Sequence, residues 1–340
     1  MYFKDNLKMI NPASGTIVMA LGIFLFSVIE TFQIPRVMQL ILVTAFLVLG
    51  FVIYAMLTLQ IFRKGFLLPF IKNPVNSFIV GSWIAGISII CDVIIKYFPN
   101  FPFFTQAIVI INSVAWGIFV ILCLYQFIQL FKNHQTYTIH GVILLSAVAT
   151  QSIVISWFQA FDIVSKGLAT LFIIVGVSFY MIGVVLIGLR YTSQKWDLVD
   201  DWTNTNCILH GALSITGLAL VYAQILSGFV MVVFWIAVST ILLIVEGIEI
   251  VRAVTRVKKY GWKKGIFTYN ISQWSRNFTF GMFYAFTLAM HSAFPDSPIY
   301  SFQHAFMQGW MWIVLALLVL EIALWISSTF QRGKRGLKEN

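Results

Sequence analysis

The side chains that could carry out chemistry are few and scattered. Of 340 residues, 12 are Asp or Glu, 5 are His and 3 are Cys. The cysteines Cys91, Cys123 and Cys207 stand on separate segments, without the paired spacing of a zinc site or a disulfide framework. There is no His-Glu-x-x-His motif and no pair of aspartates within an apolar stretch. These residues therefore predict a protein that is not an enzyme and has no metal site or cofactor.

The carboxylates divide by their position in the apolar stretches. Glu30 and Asp92 fall at ends of apolar stretches that are expected on the outer side of the membrane. Glu246 and Glu249 fall near an end that is expected on the cytoplasmic side. Only Glu321 lies well inside a stretch, where a charge costs at least about 2.5 kcal/mol and must be paired, protonated or hydrated. This stretch is one of those expected to form a helix on the outside of the bundle. A structural or subunit-contact role is therefore favoured over transport.

The composition is that of an integral membrane protein. Hydrophobic residues make up 60% of the chain and charged residues 10%, and the mean hydropathy is +0.90. The apolar stretches approach the roughly 20 residues that a helix needs to cross about 30 Å of hydrocarbon. We expect one all-α transmembrane domain over 1–340, with ten spans at about 13–30, 37–60, 76–96, 104–130, 139–159, 167–190, 207–226, 228–250, 274–293 and 304–328.

Small residues separate the odd-numbered spans from the even-numbered ones. Gly, Ala, Ser and Thr are about twice as frequent in the odd spans. Small residues let helix backbones approach closely or leave room for a passage, whereas larger aliphatic residues can face lipid. The pattern predicts five helical hairpins, with the odd helices as an inner pore ring and the even helices as an outer ring. The pore-lining candidates are Gly15, Gly22, Ser82, Gly86, Ser146, Thr150, Ser214, Gly217 and Thr287.

The basic residues orient the chain in the cytoplasmic membrane. With both termini in the cytoplasm, only Arg36, Lys96 and Lys166 of the 22 Lys and Arg residues lie outside, which leaves 19 inside. The net charge of +10 is then explained by topology and does not require a nucleic-acid partner. The expected partners are small anions and membrane lipid.

In this orientation the odd helices all begin at the cytoplasmic side. Each N-terminus carries unpaired N–H groups and about half a positive charge, so five together would attract anions. An anion-collecting mouth and ordinary positive-inside topology both agree with this pattern. The inner helices carry essentially no charge in mid-span, and a neutral pore suits passive anion flow better than a coupled pump.

Aromatic rings crowd the ninth span, which is otherwise rich in small residues. Phe278, Phe280, Phe283 and Phe286 recur there. Two interpretations remain open. The rings pack against neighbouring helices, or one of them blocks the pore, since an apolar constriction stops ions by excluding water.

Two segments resemble the tellurite-resistance/dicarboxylate transporter family, which includes bacterial tellurite-resistance membrane proteins, fungal malate and sulfite carriers and plant slow-type guard-cell anion channels. Residues 12–23 read Pro-Ala-Ser-Gly-Thr-Ile-Val-Met-Ala-Leu-Gly-Ile, and residues 274–281 read Trp-Ser-Arg-Asn-Phe-Thr-Phe-Gly. The chain departs from the family pattern at Ala20-Leu21, where relatives have Gly-Thr. The resemblance implies a homotrimer with one pore per subunit and a phenylalanine gate in the ninth helix. The Phe-Gly match makes that gate Phe280, with Phe278 the second candidate.

Together these observations predict a gated anion channel or facilitative anion transporter. The substrate is left open among chloride, nitrate, sulfite, tellurite and C4-dicarboxylates. The alternative is a proton-coupled dicarboxylate (malate) carrier, which needs a titrating group, and Glu321 or a histidine could supply it. A membrane-embedded sensor or enzyme is disfavoured because catalytic residues and a soluble output domain are missing.

Overall fold

A computed structural model describes residues 9–133, 138–193 and 195–336, with side chains as far as Gln331. All regular structure in these ranges is helical. Nine of the described helices are long and apolar enough to cross a membrane. They are α1 (Pro12–Phe32), α2 (Arg36–Ile61), α3 (Asn76–Tyr97), α4 (Pro102–Lys132), α5 (Gly141–Ala160), α6 (Lys166–Ser193), α7 (Asn204–Ala223), α8 (Gly228–Gly265) and, after one further helix, α10 (Tyr300–Gly336).

The further helix is α9 (Trp274–Ala293), at the position of the ninth predicted span. Its 20 residues measure about 30 Å at 1.5 Å per residue, so the helix is long enough to cross the hydrocarbon layer. It is not among the nine strongly apolar helices, because polar residues such as Arg276 and Asn277 lower its hydropathy. Most of α9 is buried against other helices rather than exposed at the surface.

The odd-numbered helices form the inner layer of the described structure. Their closest mutual contacts run α1 to α3, α3 to α5, α5 to α7, α7 to α9 and α9 back to α1, which closes a five-membered ring. Each even-numbered helix packs on the outside of this ring. In the most apolar segment of α5, 89% of the residues are buried inside the protein, whereas in that of α10 only 17% are. The inner helices are therefore covered by protein, and the outer ones present apolar side chains at the surface.

Glycines allow the inner helices to approach one another closely. A Cβ added at Gly81 of α3 would lie 2.5 Å from the carbonyl oxygen of Leu145 in α5. One added at Gly15 of α1 would lie 2.9 Å from the carbonyl oxygen of Ser82 in α3. No side chain fits at either distance, so these glycines fix backbone-to-backbone contacts within the ring.

Several boundaries differ from the prediction. Helix α8 continues about fifteen residues past the predicted end at 250, with a break in helical geometry at Gly261, where φ is 75°. A short helix, Leu67–Lys72, lies between α2 and α3. In α1 the backbone changes to a π-helical turn at Phe24–Val28, a distortion that recurs at functional sites. The terminal basic residues Lys4, Lys8 and Lys338, which contributed to the predicted orientation, lie outside the described residues.

Candidate functional site

A small cavity, here called the central cavity, lies on the axis of the inner ring. About 20 Å³ of it is open to the centre of a water-sized sphere, which is room for about one water molecule. The inner ring is therefore closed at this level. All five inner helices contribute to its wall: Ile23 and Phe26 of α1, Ala85, Ser88, Ile89 and Asp92 of α3, Ser152 and Ile155 of α5, Ile215 and Leu218 of α7, and Phe278 and Met282 of α9.

A wider cavity of about 330 Å³, the mouth cavity, lies where the inner helices begin. Side chains cap three of the helical segments there: Asn11 before α1, His140 before α5 and Asn270 before the turn that leads into α9 each accept a backbone N–H. No Asp, Glu, Lys or Arg is among its described lining residues, which are Asn11, Pro12, Ala13, Thr16, Phe70, Asn76, Ile79, His140, Val142, Leu145, Thr205, Ile271, Ser272 and Ser275. The described lining of this cavity therefore carries no formal charge apart from any on His140, and the helix N-termini around it contribute partial positive charge.

The one ionisable side chain among these lining residues that titrates near neutrality in water is His140. Burial, and then the nearby Arg190 guanidinium, lower the pKa of His140 from 6.5 to about 4. Arg190 itself donates to the carbonyl oxygen of Ile139 at 2.8 Å and pairs with Asp201 at 3.2 Å. The His140 ring is consequently neutral at physiological pH, with Nδ1 2.8 Å from the hydroxyl of Thr205.

The two gate candidates point in different directions. The ring of Phe278 lines the central cavity. The ring of Phe280 stacks on the Trp310 ring of α10, with centroids 4.9 Å apart. It also makes an edge-to-face contact with the His210 ring, with centroids 6.0 Å apart. Two residues along a helix correspond to a rotation of about 200°, so the two rings cannot face the same side. The sequence-based preference for Phe280 is thus not met by its position, and Phe278 is the ring on the axis.

None of the nine pore-lining candidates lines the central cavity. Several of the glycines lie at helix contacts instead. Gly15 packs on Ser82, Gly86 lies under the Tyr54 hydroxyl, and Gly217 faces the ring of Phe286. Gly22 packs in the same way, against Ile89 of α3. Close helix packing thus accounts for these four glycines, and the wall of the central cavity is formed by other residues, most of them larger.

The hydroxyl candidates are committed to hydrogen bonds. Thr150 and Thr287 accept the indole N–H groups of Trp116 and Trp235 on outer helices, at 3.0 and 2.9 Å. The remaining three donate to carbonyl oxygens of their own helical segments: Ser82 to Ile79, Ser146 to Ile143 and Ser214 to His210. The two threonines thus attach outer helices to the inner ring, and the three serines are bonded within their own helical segments.

Asp92 lines the central cavity but was not among the residues that the sequence analysis selected. It was expected at an outer helix end, outside a neutral pore, but it lines the central cavity and is 3% exposed. Its Oδ1 atom has no hydrogen-bond partner. The sequence does contain a signal for this position. Ala85, Ser88, Ile89 and Asp92 are spaced three or four residues apart and therefore lie on one face of the helix. The sequence-based description of a neutral pore did not include this side chain, and the pore itself stays a prediction.

Five buried or partly buried ionisable side chains lie together at the side of the ring, in a cluster here called the seam. It consists of His210, Glu246, Glu249, Arg252 and Arg276. Arg276 pairs with Glu246 at 3.1 Å and with Glu249 at 3.2 Å, Arg252 pairs with Glu249 at 2.9 Å, and His210 Nε2 lies 3.3 Å from Glu246. The seam joins α7, α8 and α9 and borders a cavity of about 540 Å³ that α10 also lines.

Glu321 is buried on α10, at 4% exposure, and its Oε1 atom has no hydrogen-bond partner. It does not line the central cavity or the mouth cavity. Arg276 of the seam is near enough to attract it electrostatically. This position, away from the axis, agrees with a structural role better than with transport.

No family model matches the chain, and no curated protein matches it. Within the described ranges, no group of three or more His, Cys, Asp or Glu side chains is arranged to hold a metal ion. The site therefore has to be interpreted from its own geometry. It is an axis enclosed by five helices, wide at the helix N-termini and closed by apolar side chains further in.

Proposed function

We propose that this multi-pass membrane protein passes small anions along the axis of the inner ring. In this proposal all ten helices cross the cytoplasmic membrane as five hairpins, with both chain termini inside. The observation that carries it is that the central cavity and, apart from Phe70, the mouth cavity are lined by residues of the five inner helices or of the turns that begin them. Such an axis is where a substrate could cross without meeting lipid.

The charge pattern supports an anion as substrate. Helix N-termini converge on a mouth cavity whose described lining has no acidic side chain. The proposed topology puts 19 of the 22 Lys and Arg residues on the same side of the membrane. Chloride, nitrate, sulfite, tellurite and C4-dicarboxylates all fit this chemistry.

Phe278 serves as the gate in this proposal. Its ring, together with Ile23, Ile215, Leu218 and Met282, surrounds a space for about one water molecule. An ion cannot cross such an apolar constriction with its hydration shell, so the path is closed until the ring moves.

A proton-coupled anion carrier is the second candidate, and Asp92 favours it. Coupling requires a group on the transport path that can bind and release a proton, and Asp92 is an acidic side chain in the central cavity. The two candidates share the same axis and gate, and differ in whether a proton travels with the anion.

Membership of the tellurite-resistance/dicarboxylate transporter family, and with it a homotrimeric assembly, remains part of the proposal. Its support is the resemblance of residues 12–23 and 274–281 together with the inner and outer layers of helices.

The test is ion flux in liposomes that contain the purified protein. In a potassium chloride gradient the reversal potential should lie near the chloride equilibrium potential, and a value near that of potassium would refute an anion pathway. Uptake that follows membrane potential alone identifies a channel. Uptake that requires a pH gradient identifies the carrier.

A further inference from the structure

We propose that the carboxyl group of Asp92 is a proton-binding site in the transport path, and that anions pass only when it is protonated. This inference rests on the proposed function and adds to it a second barrier, electrostatic and reversible, beside the steric barrier of Phe278. Protonation adds one proton from water to the carboxylate and removes one negative charge from the axis. No electron transfer or other reactant is involved.

The position of Asp92 supports such a role. The side chain is 97% buried and lines the central cavity, which has room for about one water molecule. Any anion that follows the axis must pass close to this carboxyl group. Because the wall there is otherwise apolar or neutral, a negative charge on Asp92 would be poorly screened and would repel the anion.

The carboxyl group also lacks the partner that would make it a structural ion pair. Its Oδ1 atom has no hydrogen-bond partner, and no described Lys, Arg or His lies within ion-pair distance. The neighbouring polar group is the hydroxyl of Ser156 on α5. A buried carboxylate without a cation is unfavourable, whereas a neutral carboxyl with one hydroxyl neighbour is tolerated.

The other ionisable groups around Asp92 do not supply a competing charge. On its own helix, Lys96 is paired with Glu30 of α1 at 3.0 Å and donates to the carbonyl oxygen of Phe26. The side chains that face this region from the packed elements carry no formal charge at physiological pH: Cys91 of α3, Asn112 of α4, Gln159 of α5, Tyr222 of α7, and Phe278 and Met282 of α9.

The experiment measures chloride and nitrate efflux from liposomes between pH 5 and pH 8, with the membrane potential held at zero. Flux through the natural protein should rise at least tenfold as the pH falls. Asp92→Asn fixes the site in a neutral form, so its flux at pH 8 should equal that of the natural protein at pH 5 and should not change with pH. Asp92→Glu should keep a pH-dependent flux.

Glu321→Gln is the matched control, because it neutralises a second buried carboxyl group that lies off the axis. It should retain the pH profile of the natural protein. If Asp92→Asn elutes as an aggregate, Asp92→Glu decides the matter. A midpoint shifted along the pH axis supports the site, and an unchanged midpoint overturns it.

The failure of this inference is distinguishable from the failure of the proposed function. Anion flux that keeps its pH profile in Asp92→Asn would overturn the inference and leave the anion pathway standing. Flux that is selective for potassium or sodium and is lost in Asp92→Asn would overturn both, and would make Asp92 a cation ligand.

Discussion

The central cavity and the seam both bury ionisable side chains, but they compensate the charge differently. In the seam, Glu246 and Glu249 each contact the Arg276 guanidinium, and Arg252 completes the cluster. In the central cavity, Asp92 has a hydroxyl neighbour and no cation. Paired charges between helices hold those helices together. An unpaired carboxyl group on an axis shared by five helices costs stability, which is why we propose a role for it in transport.

The two regions therefore differ in what a substitution should change. Removing one member of the seam takes away part of the charge compensation of its partners, so the loss should appear in folding. A neutral replacement of Asp92 removes an uncompensated group, so the change should appear in transport.

The largest effect should come from Arg276→Met. This substitution keeps an apolar stem but leaves Glu246 and Glu249 without their shared guanidinium, and breaking a buried ion pair typically costs about 3–5 kcal/mol. Thermal unfolding in detergent, followed by circular dichroism, should show a clearly lowered midpoint. A double variant that also carries Glu246→Gln should recover part of the loss. An unchanged midpoint in Arg276→Met would mean that the seam does not stabilise the fold.

Phe278→Ala and Phe280→Ala should have opposite consequences. The first removes the ring from the central cavity, so anion flux in liposomes should rise at least tenfold. The second removes a ring stacked on Trp310, and should cost about 3–5 kcal/mol of stability without raising flux. Each variant is the control for the other, because both delete the same group from the same helix. Higher flux in Phe280→Ala alone would show that the gate lies off the axis described here.

The sequence was sufficient to predict the helices and their two layers. Long apolar runs have few alternatives to membrane-spanning helices, and small residues concentrate where helices pack closely on all sides. Helix α9 was predicted as a span despite its polar residues, and the structure has a 20-residue helix there. Whether all ten helices cross the membrane remains a prediction.

The orientation of each inner helix about its axis could not be predicted from one sequence. Every inner helix touches two inner neighbours and at least one outer helix, so a small residue can face any of them. Gly217 faces Phe286 and Thr150 faces Trp116, and neither faces the axis. The choice between Phe278 and Phe280 depended on the same rotation. Asp92 was misplaced because position along the chain, rather than the helical face, was used to locate it.

His140 should make a smaller, pH-dependent contribution to the free energy of unfolding. Its pKa is about 4 in the folded protein and about 6.5 when unfolded, so the unfolded state binds more protons between these values and stability falls as the pH drops. Between pH 7.5 and pH 5 the loss should be about 2 kcal/mol. Unfolding at the two pH values should show this difference in the natural protein and less of it in His140→Gln. Equal pH dependence in both proteins would exclude His140 as its source.

His140 also bears on the pH dependence of transport. Because it stays neutral above about pH 5, it should not change the field of the mouth cavity in the range where Asp92 is proposed to act. Flux through His140→Gln should therefore follow the same pH profile as flux through the natural protein. A profile that disappears in His140→Gln but persists in Asp92→Asn would transfer the proton site to the mouth cavity.

Glu321→Gln should have the smallest effect on transport. The substitution keeps the size of the side chain and adds a donor, and the residue lies on α10 away from both cavities of the axis. Anion selectivity and pH dependence should be unaltered, and a change in unfolding free energy should stay within about 1 kcal/mol, as for most substitutions that leave packing intact. If Glu321 instead contacts a neighbouring subunit, cross-linking in native membranes should detect fewer oligomers in the variant while flux per protein is unchanged. Loss of pH-dependent flux with normal assembly would make Glu321, rather than Asp92, the coupling carboxylate, and the contrast between the axis and its surroundings would fail.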